Sequence, residues 1–168
     1  MLFFMRSPSC GGKDTFIRKH FMKEGGQVIS SDAFRELLTG DINNQQMNER
    51  VFSLMAEVLD FRLANRVSWT VVNATNLRMR DCSRFVDIAK KHHTPFMFIC
   101  IAPPSREILH ERAISRQKQT GMIYVPEVID KHYDRYESAA RPFIEEATYN
   151  ANCKLIEVNQ SYEVIREI

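Results

Sequence analysis

An α/β fold with a central parallel sheet flanked by helices is what this sequence predicts, and three observations predict it. Short apolar runs alternate with amphipathic stretches from end to end, the pattern of strands linked by crossover helices. The first run, Leu2-Phe3-Phe4-Met5, leads straight into Ser7-Pro8-Ser9-Cys10-Gly11-Gly12-Lys13-Asp14-Thr15 and then into the helical-looking Phe16-Ile17-Arg18. With 168 residues, 44% of them hydrophobic, the chain is long enough for one buried core and too short for two ordinary domains. Residues 1–168 are therefore expected to form a single domain.

The elements follow in order. Strands are expected at residues 2–5, 28–30, 70–73, 96–101 and 154–158, each a short apolar run bounded by polar residues. Met47, Val51, Leu54, Met55, Val58 and Leu59 fall on one helical face, as do Cys82, Phe85, Val86 and Ala89, so two core-facing crossover helices are predicted. Ser105 is placed to cap a helix through Ile108 and Leu109, and Pro126 to open another carrying Val128, Ile129, Tyr133 and Tyr136. Between these two, residues 117–124 are polar with one glycine and read as a mobile loop. No repeat, low-complexity tract or Pro/Gly/Ser-rich linker interrupts the pattern.

The glycine-rich loop carries the strongest chemical signal. The phosphate-binding pattern G-x-x-x-x-G-K-[ST] wraps backbone N–H groups around phosphates, sends a lysine to the β/γ oxygens and places a hydroxyl on Mg²⁺. Here Ser7 stands for the first glycine and Asp14 for the hydroxyl, while Gly11, Gly12 and Lys13 remain, just ahead of a helix N-terminus. Asp14 in a first helical turn suits the dipole and can ligate Mg²⁺ directly or through water, although it adds negative charge beside a triphosphate; Thr15 can share that task.

The second strand ends in Ser30-Ser31-Asp32 with Arg35 one turn on, at the same carboxyl edge of a parallel sheet as the loop. Asp32 suits a general base toward an attacking hydroxyl and Arg35 an acceptor phosphate; alone, Asp32 reads first as a helix cap, and the phosphate loop beside it reverses that preference. The third strand ends in Val71-Val72-Asn73-Ala74-Thr75-Asn76, with Asn73 where P-loop proteins commonly carry a Mg²⁺-holding Asp. Thr75 and Asn76 either meet a substrate phosphate or sugar or satisfy their own loop. Arg112 and Arg116, four apart, project from one helical face beside the predicted loop, where a lid would deliver charge; by itself such a pair is a solvated face. Lys118, Lys131, His132 and Arg135 continue the basic density, enough for one flexible nucleic-acid end. Trp69, before the third strand, is expected to pack rather than to stack on a base.

Composition bounds the classes. A net charge of +2 is too mild to announce nucleic-acid binding without local clustering. Cys10, Cys82, Cys100 and Cys153 form no C-x-x-C pair, which favours reduced thiols and a cytoplasmic setting. The run at residues 2–5 is too short for a signal h-region or a membrane span.

Together the loop from Ser9 through Cys10, Gly11, Gly12, Lys13 and Asp14 to Thr15, the Asp32-x-x-Arg35 element, the V-V-N-A-T-N strand end, Arg112-x-x-x-Arg116 and Val125-Pro126 resemble the kinase module of the 5′-hydroxyl polynucleotide kinases. These are end-healing enzymes of bacteriophage and bacterial RNA repair, and the likeness runs over nearly the whole chain. The resemblance implies a P-loop kinase fold with a helical lid near residues 112–125, ATP or another NTP as donor, Mg²⁺, and nucleic-acid 5′-hydroxyl ends as acceptors. It implies Asp32 as general base and Arg35 on the acceptor's scissile-side phosphate. Arg112 and Arg116 become lid arginines on the donor phosphates, and Thr75 and Val125 line the acceptor nucleotide site. For a phage-encoded member the setting is the host cytoplasm. Ser7, Asp14 and Asn73 depart from the family's pattern, and no segment is expected to supply the phosphatase or ligase often fused to such modules. Two alternatives stand beside polynucleotide phosphorylation: a P-loop kinase of a small metabolite or nucleoside monophosphate, and a nucleotide-binding module without catalysis.

Overall fold

Six strands, β1 (Leu2–Arg6), β2 (Gln27–Ser30), β3 (Thr70–Asn73), β4 (Phe96–Ile101), β5 (Cys153–Val158) and β6 (Val164–Glu167), form one sheet in the order β2-β3-β1-β4-β5-β6. The computed structural model describes residues 1–22, 27–67 and 69–168. The first five strands run parallel and β6 adds antiparallel to β5. Seven α-helices among the described residues connect them: α1 (Lys13–His20), α2 (Ser31–Thr39), α3 (Asn48–Ala64), α4 (Met79–Lys91), α5 (Arg106–Thr120), α6 (Pro126–Ser138) and α7 (Arg141–Tyr149).

Strand alternation divides the core into two layers. Leu2 and Phe4 point with Val72, Phe96 and Phe98 into a cluster covered by α3, α4 and α7, through residues such as Met55, Phe85 and Phe143. On the other face, Met5, Val71, Ile99 and Val158 meet Phe16, Ile17 and Phe21 of α1 and its end. Both faces of β1 are thus covered, which is why its sequence is an unbroken apolar run. Each fully buried phenylalanine such as Phe4 or Phe98 contributes roughly 1.5–3 kcal/mol of transfer free energy. Trp69 packs in the second layer against the rings of Phe3 and Phe21, as its position predicts.

A third, smaller cluster of Leu109, Ala113 and Ile129, with Cys10, Tyr124 and Tyr133 against it, joins α5 and α6 to the loop after β1. This region corrects the sequence expectation in one respect. Residues 117–120 are helical and belong to α5, which stops only at Gly121, whose φ of 71° forms the left-handed cap. The connecting loop is therefore shorter than the one expected at 117–124. Ser105 occupies the N-cap of α5, but its hydroxyl makes no capping bond. Two elements were not expected. β6 is short and exposed along its whole length, so it has no apolar run, and the amphipathic α7 follows α6 after two residues. No helix among the described residues is long and apolar enough to cross a membrane, and all four cysteines are free thiols.

The register aligns the carboxyl ends, with Ser30 opposite Asn73 and Phe4 opposite Val72. Because β1 leads to β2 across β3, while β3 leads to β4 on the other side of β1, the connections diverge beside β1. Doubly wound sheets bind ligands at such a switch point.

Candidate functional site

The loop between β1 and α1 owes its shape to small residues. A Cβ on Gly11 would lie 2.1 Å from the Ser7 hydroxyl, and Gly12 has a φ of 105° that L side chains rarely adopt. Ser7 itself is fully buried and donates to the Ile101 carbonyl at 3.0 Å, which ties the loop to the end of β4. Its backbone N–H donates to the Thr75 carbonyl. A hydroxyl thus occupies the place of the motif's first glycine without disturbing the turn.

Lys13 opens α1 and folds back over the loop, with Nζ donating to the carbonyls of Ser7 at 3.0 Å and Pro8 at 2.7 Å. Burial lowers its ammonium from the ordinary lysine value to about 8, against the opposing attraction of Asp14 and Asp32. Ser9 shares a 3.0 Å hydrogen bond with His132 Nδ1 on α6. His132 had been counted among the basic residues, but burial, reinforced by Lys13 and Arg135, lowers it to about 4. It is therefore neutral at neutral pH and adds no charge.

Asp14, exposed in the first turn of α1, accepts from Asn73 Nδ2 at 2.8 Å. The two departures from the motif are thus partners. Where a hydroxyl on the helix would meet a carboxylate on the strand, this chain has the carboxylate on the helix and an amide on the strand. Thr15 is also exposed and accepts weakly from Arg18 at 3.5 Å. Carboxylate and hydroxyl oxygens are donors that a hard divalent cation takes, so the residue types fit Mg²⁺.

Asp32 does not cap α2. Ser30 holds that position and accepts from the Ala33 N–H, while Asp32 lies within the helix. Its carboxylate accepts from Arg35 Nη1 at 2.8 Å and from Arg116 Nη2 at 3.2 Å. Arg35 is only 5% exposed, and its Nε and Nη2 both donate to Asn48 Oδ1. The guanidinium is thus engaged with Asp32 and Asn48 and has few N–H groups left for an acceptor. The two arginines of α5 serve different ends: Arg112 donates to the Cys10 carbonyl in the loop and to Gln160, whereas Arg116 meets Asp32.

Thr75 is half-buried beside the loop. Asn76 is buried with a left-handed φ of 45°, donating to the Met5 carbonyl at 2.8 Å. Val125 is the partly exposed N-cap residue of α6. Sequence reasoning did not find Asn48, Gln160 or Tyr162. Gln160 Nε2 donates to the Ala102 and Gly11 carbonyls and Tyr162 donates to the Gly12 carbonyl. These residues buttress the site from segments with no motif, and only their tertiary placement reveals them.

A family model described as an AAA domain matches residues 2–143. The chain belongs to the AAA domain family. Its sheet and loop have the P-loop kinase-like fold, which solved structures share. A chain from the Pnkp1/Rnl/Hen1 RNA repair complex superposes with a TM-score of 0.72 at 22% identity over 84% of this chain. This AAA domain chain spans 45% of that one. A chain from the PezAT chromosomal toxin-antitoxin system of Streptococcus pneumoniae gives 0.73 at 15% identity, covering 99% of this chain and 71% of that one. A gluconokinase from Sinorhizobium meliloti gives 0.54 at 14% identity, with 92% and 81% covered. At such identities the likeness is one of fold. No curated protein matches the sequence.

Proposed function

We propose that this chain transfers the γ-phosphate of ATP, or of another nucleoside triphosphate, to the 5′-hydroxyl end of a polynucleotide. The observation that carries the reading is Asp32. It stands at the carboxyl edge of the sheet, oriented by Arg35 and Arg116 and near enough to Lys13 to raise its proton affinity. A carboxylate so held keeps lone pairs with which to accept a hydroxyl proton, as a general base must.

In this reading Gly11, Gly12 and the N-terminus of α1 wrap the donor phosphates with backbone N–H groups, and Lys13 leaves the Ser7 and Pro8 carbonyls for phosphate oxygens. Asp32 takes the proton of the 5′-hydroxyl as its oxygen attacks the γ-phosphorus in line. The bond from that phosphorus to the β–γ bridging oxygen breaks, and the nucleoside diphosphate leaves. Arg112 reaches the donor from the loop side and stabilises the charge on the equatorial oxygens. Arg116 and Arg35 hold the base, and Thr75, Asn76 and Val125 border the acceptor. Mg²⁺ held by Asp14 and Thr15 together with phosphate oxygens would supply charge neutralisation across the β- and γ-phosphates.

The likeness to a chain of an RNA repair complex supports a polynucleotide acceptor, and the likeness to a gluconokinase supports the second reading, a small hydroxylated metabolite. Incubation with γ-labelled ATP, 5′-hydroxyl oligonucleotides and competing free nucleosides and sugars decides between them. Label is expected on the oligonucleotide end, with at least a 100-fold loss, about 2.7 kcal/mol, in Asp32→Asn. Undiminished transfer in that variant would remove the base assignment, and label only on a small molecule would replace the acceptor.

A further inference from the structure

The segment leaving β3 borders more positive charge than phosphoryl transfer uses. Thr75 and Asn76 form one wall of a cavity of about 290 Å³, with Arg78 at the N-cap of α4, Arg80 and Arg84 within α4 and Arg135 from α6 around it. Arg78 pairs with Asp81 at 2.7 Å and Arg84 with Glu49 at 2.9 Å. The guanidiniums of Arg80 and Arg135 have no carboxylate partner among the described residues. Four arginines thus line a cavity whose own lining holds a single carboxylate, Asp81. Two cations from separate helices held unpaired at one cavity make a local potential that favours an anion between them. The N-terminal end of α4 opens onto the same space and adds its dipole.

A second observation concerns the wall itself. Asn76 is 1% exposed, and its amide nitrogen is committed to the Met5 carbonyl, which fixes the side chain's orientation. Its Oδ1 is buried without a hydrogen-bond donor. A buried acceptor left without a donor is uncommon, and this one lies beneath the surface of the wall rather than on it. The cavity also adjoins the phosphate loop. His132, on its lining, bonds to Ser9, and the Thr75 carbonyl accepts from Ser7.

We propose that this cavity is an internal phosphate subsite, in which Arg80 and Arg135 hold the phosphodiester backbone of a single-stranded polynucleotide on the 3′ side of the terminal nucleotide. The inference rests on the polynucleotide reading above and specifies how such an acceptor is gripped beyond its reacting end. An uncharged sugar or nucleoside has no anion to place there, whereas a single strand carries one at every linkage.

Binding of a fluorescent 5′-hydroxyl RNA hexamer, measured by anisotropy over a series of salt concentrations without any donor nucleotide, tests it. Relative to wild type, R80Q/R135Q is expected to bind at least 10-fold more weakly. Its log affinity against log salt should flatten by about 1.4, since each single-strand phosphate contact contributes roughly 0.7 to that slope. R80K/R135K is expected to keep most of the slope, and unchanged ATP affinity in R80Q/R135Q shows that it is folded. Equal affinity and slope in wild type and R80Q/R135Q overturn the subsite, as does a wild-type protein that fails to bind the hexamer at low salt. The transfer assay separates the two claims. A hexamer that binds through these arginines but accepts no phosphate removes the activity and leaves the subsite; a hexamer phosphorylated while R80Q/R135Q matches wild type does the reverse.

Discussion

At the scale of single residues, Lys13 shows how burial and function are coupled. Its ammonium is held near pKa 8 because burial outweighs the pull of Asp14 and Asp32. A lowered value means that the free protein has released about half of this proton at pH 8 and more above it. A bound triphosphate is a concentrated negative charge and restores the proton, so binding must take one up. Calorimetry of ATP binding at pH 8.5 in buffers of different ionisation enthalpy is expected to show net proton uptake, absent from Lys13→Arg. Wild-type binding at pH 8.5 without uptake would show that the ammonium stays fully charged. Lys13, Asp32 and Arg116 were each legible in the sequence as candidates, because their residue types and spacing match known phosphate chemistry. That Arg116 bonds Asp32 rather than the loop was not, since a helix face shows direction and not reach.

At the scale of elements, the pairing of Asp14 at the start of α1 with Asn73 at the end of β3 joins two segments 59 residues apart. Each looks like a defect when read alone; together they keep one carboxylate and one neutral polar group at the same junction. Asp14→Ser is expected to retain transfer but to require more Mg²⁺, and adding Asn73→Asp to it is expected to restore the original requirement. A titration of transfer rate against Mg²⁺ checks both, and complete loss of transfer in Asp14→Ser would show a further role for the carboxylate. Elements with strong local signals were the legible ones: the apolar runs of β1, β3 and β4, the α4 face and the Val51, Met55 and Leu59 stripe of α3 agree with the structure, whereas Met47, expected on that stripe, precedes α3 and is exposed. β6 was not, because four exposed residues at a sheet edge are held by pairing with β5 and carry no hydrophobic pattern of their own.

At the scale of the whole molecule, Arg6 ties the halves of the site together. It ends β1, is 2% exposed, and donates to the carbonyls of Tyr136 at 2.6 Å and Leu77 at 3.4 Å while lying over the rings of Tyr136 and Phe143. The Tyr136 carbonyl belongs to the last turn of α6, where helical carbonyls lack partners in the helix and favour a cation. Arg6→Met keeps the bulk and removes the donors, so urea unfolding is expected to show a loss of roughly 1–3 kcal/mol, the cost of leaving a buried carbonyl unpaired. Unchanged stability would show that the rings and apolar packing alone hold Arg6 in place. The sequence by itself determined the five parallel strands, the phosphate loop and the residue types available for chemistry, because periodicity and short motifs are local. Tertiary structure alone decided which of them meet: Asp14 with Asn73, Arg116 with Asp32, and His132 with Ser9, with Arg80, Arg84 and Arg135 brought to one cavity. Those pairings depend on strand order and on how helices dock across the sheet, and long-range packing leaves no fixed spacing along the chain.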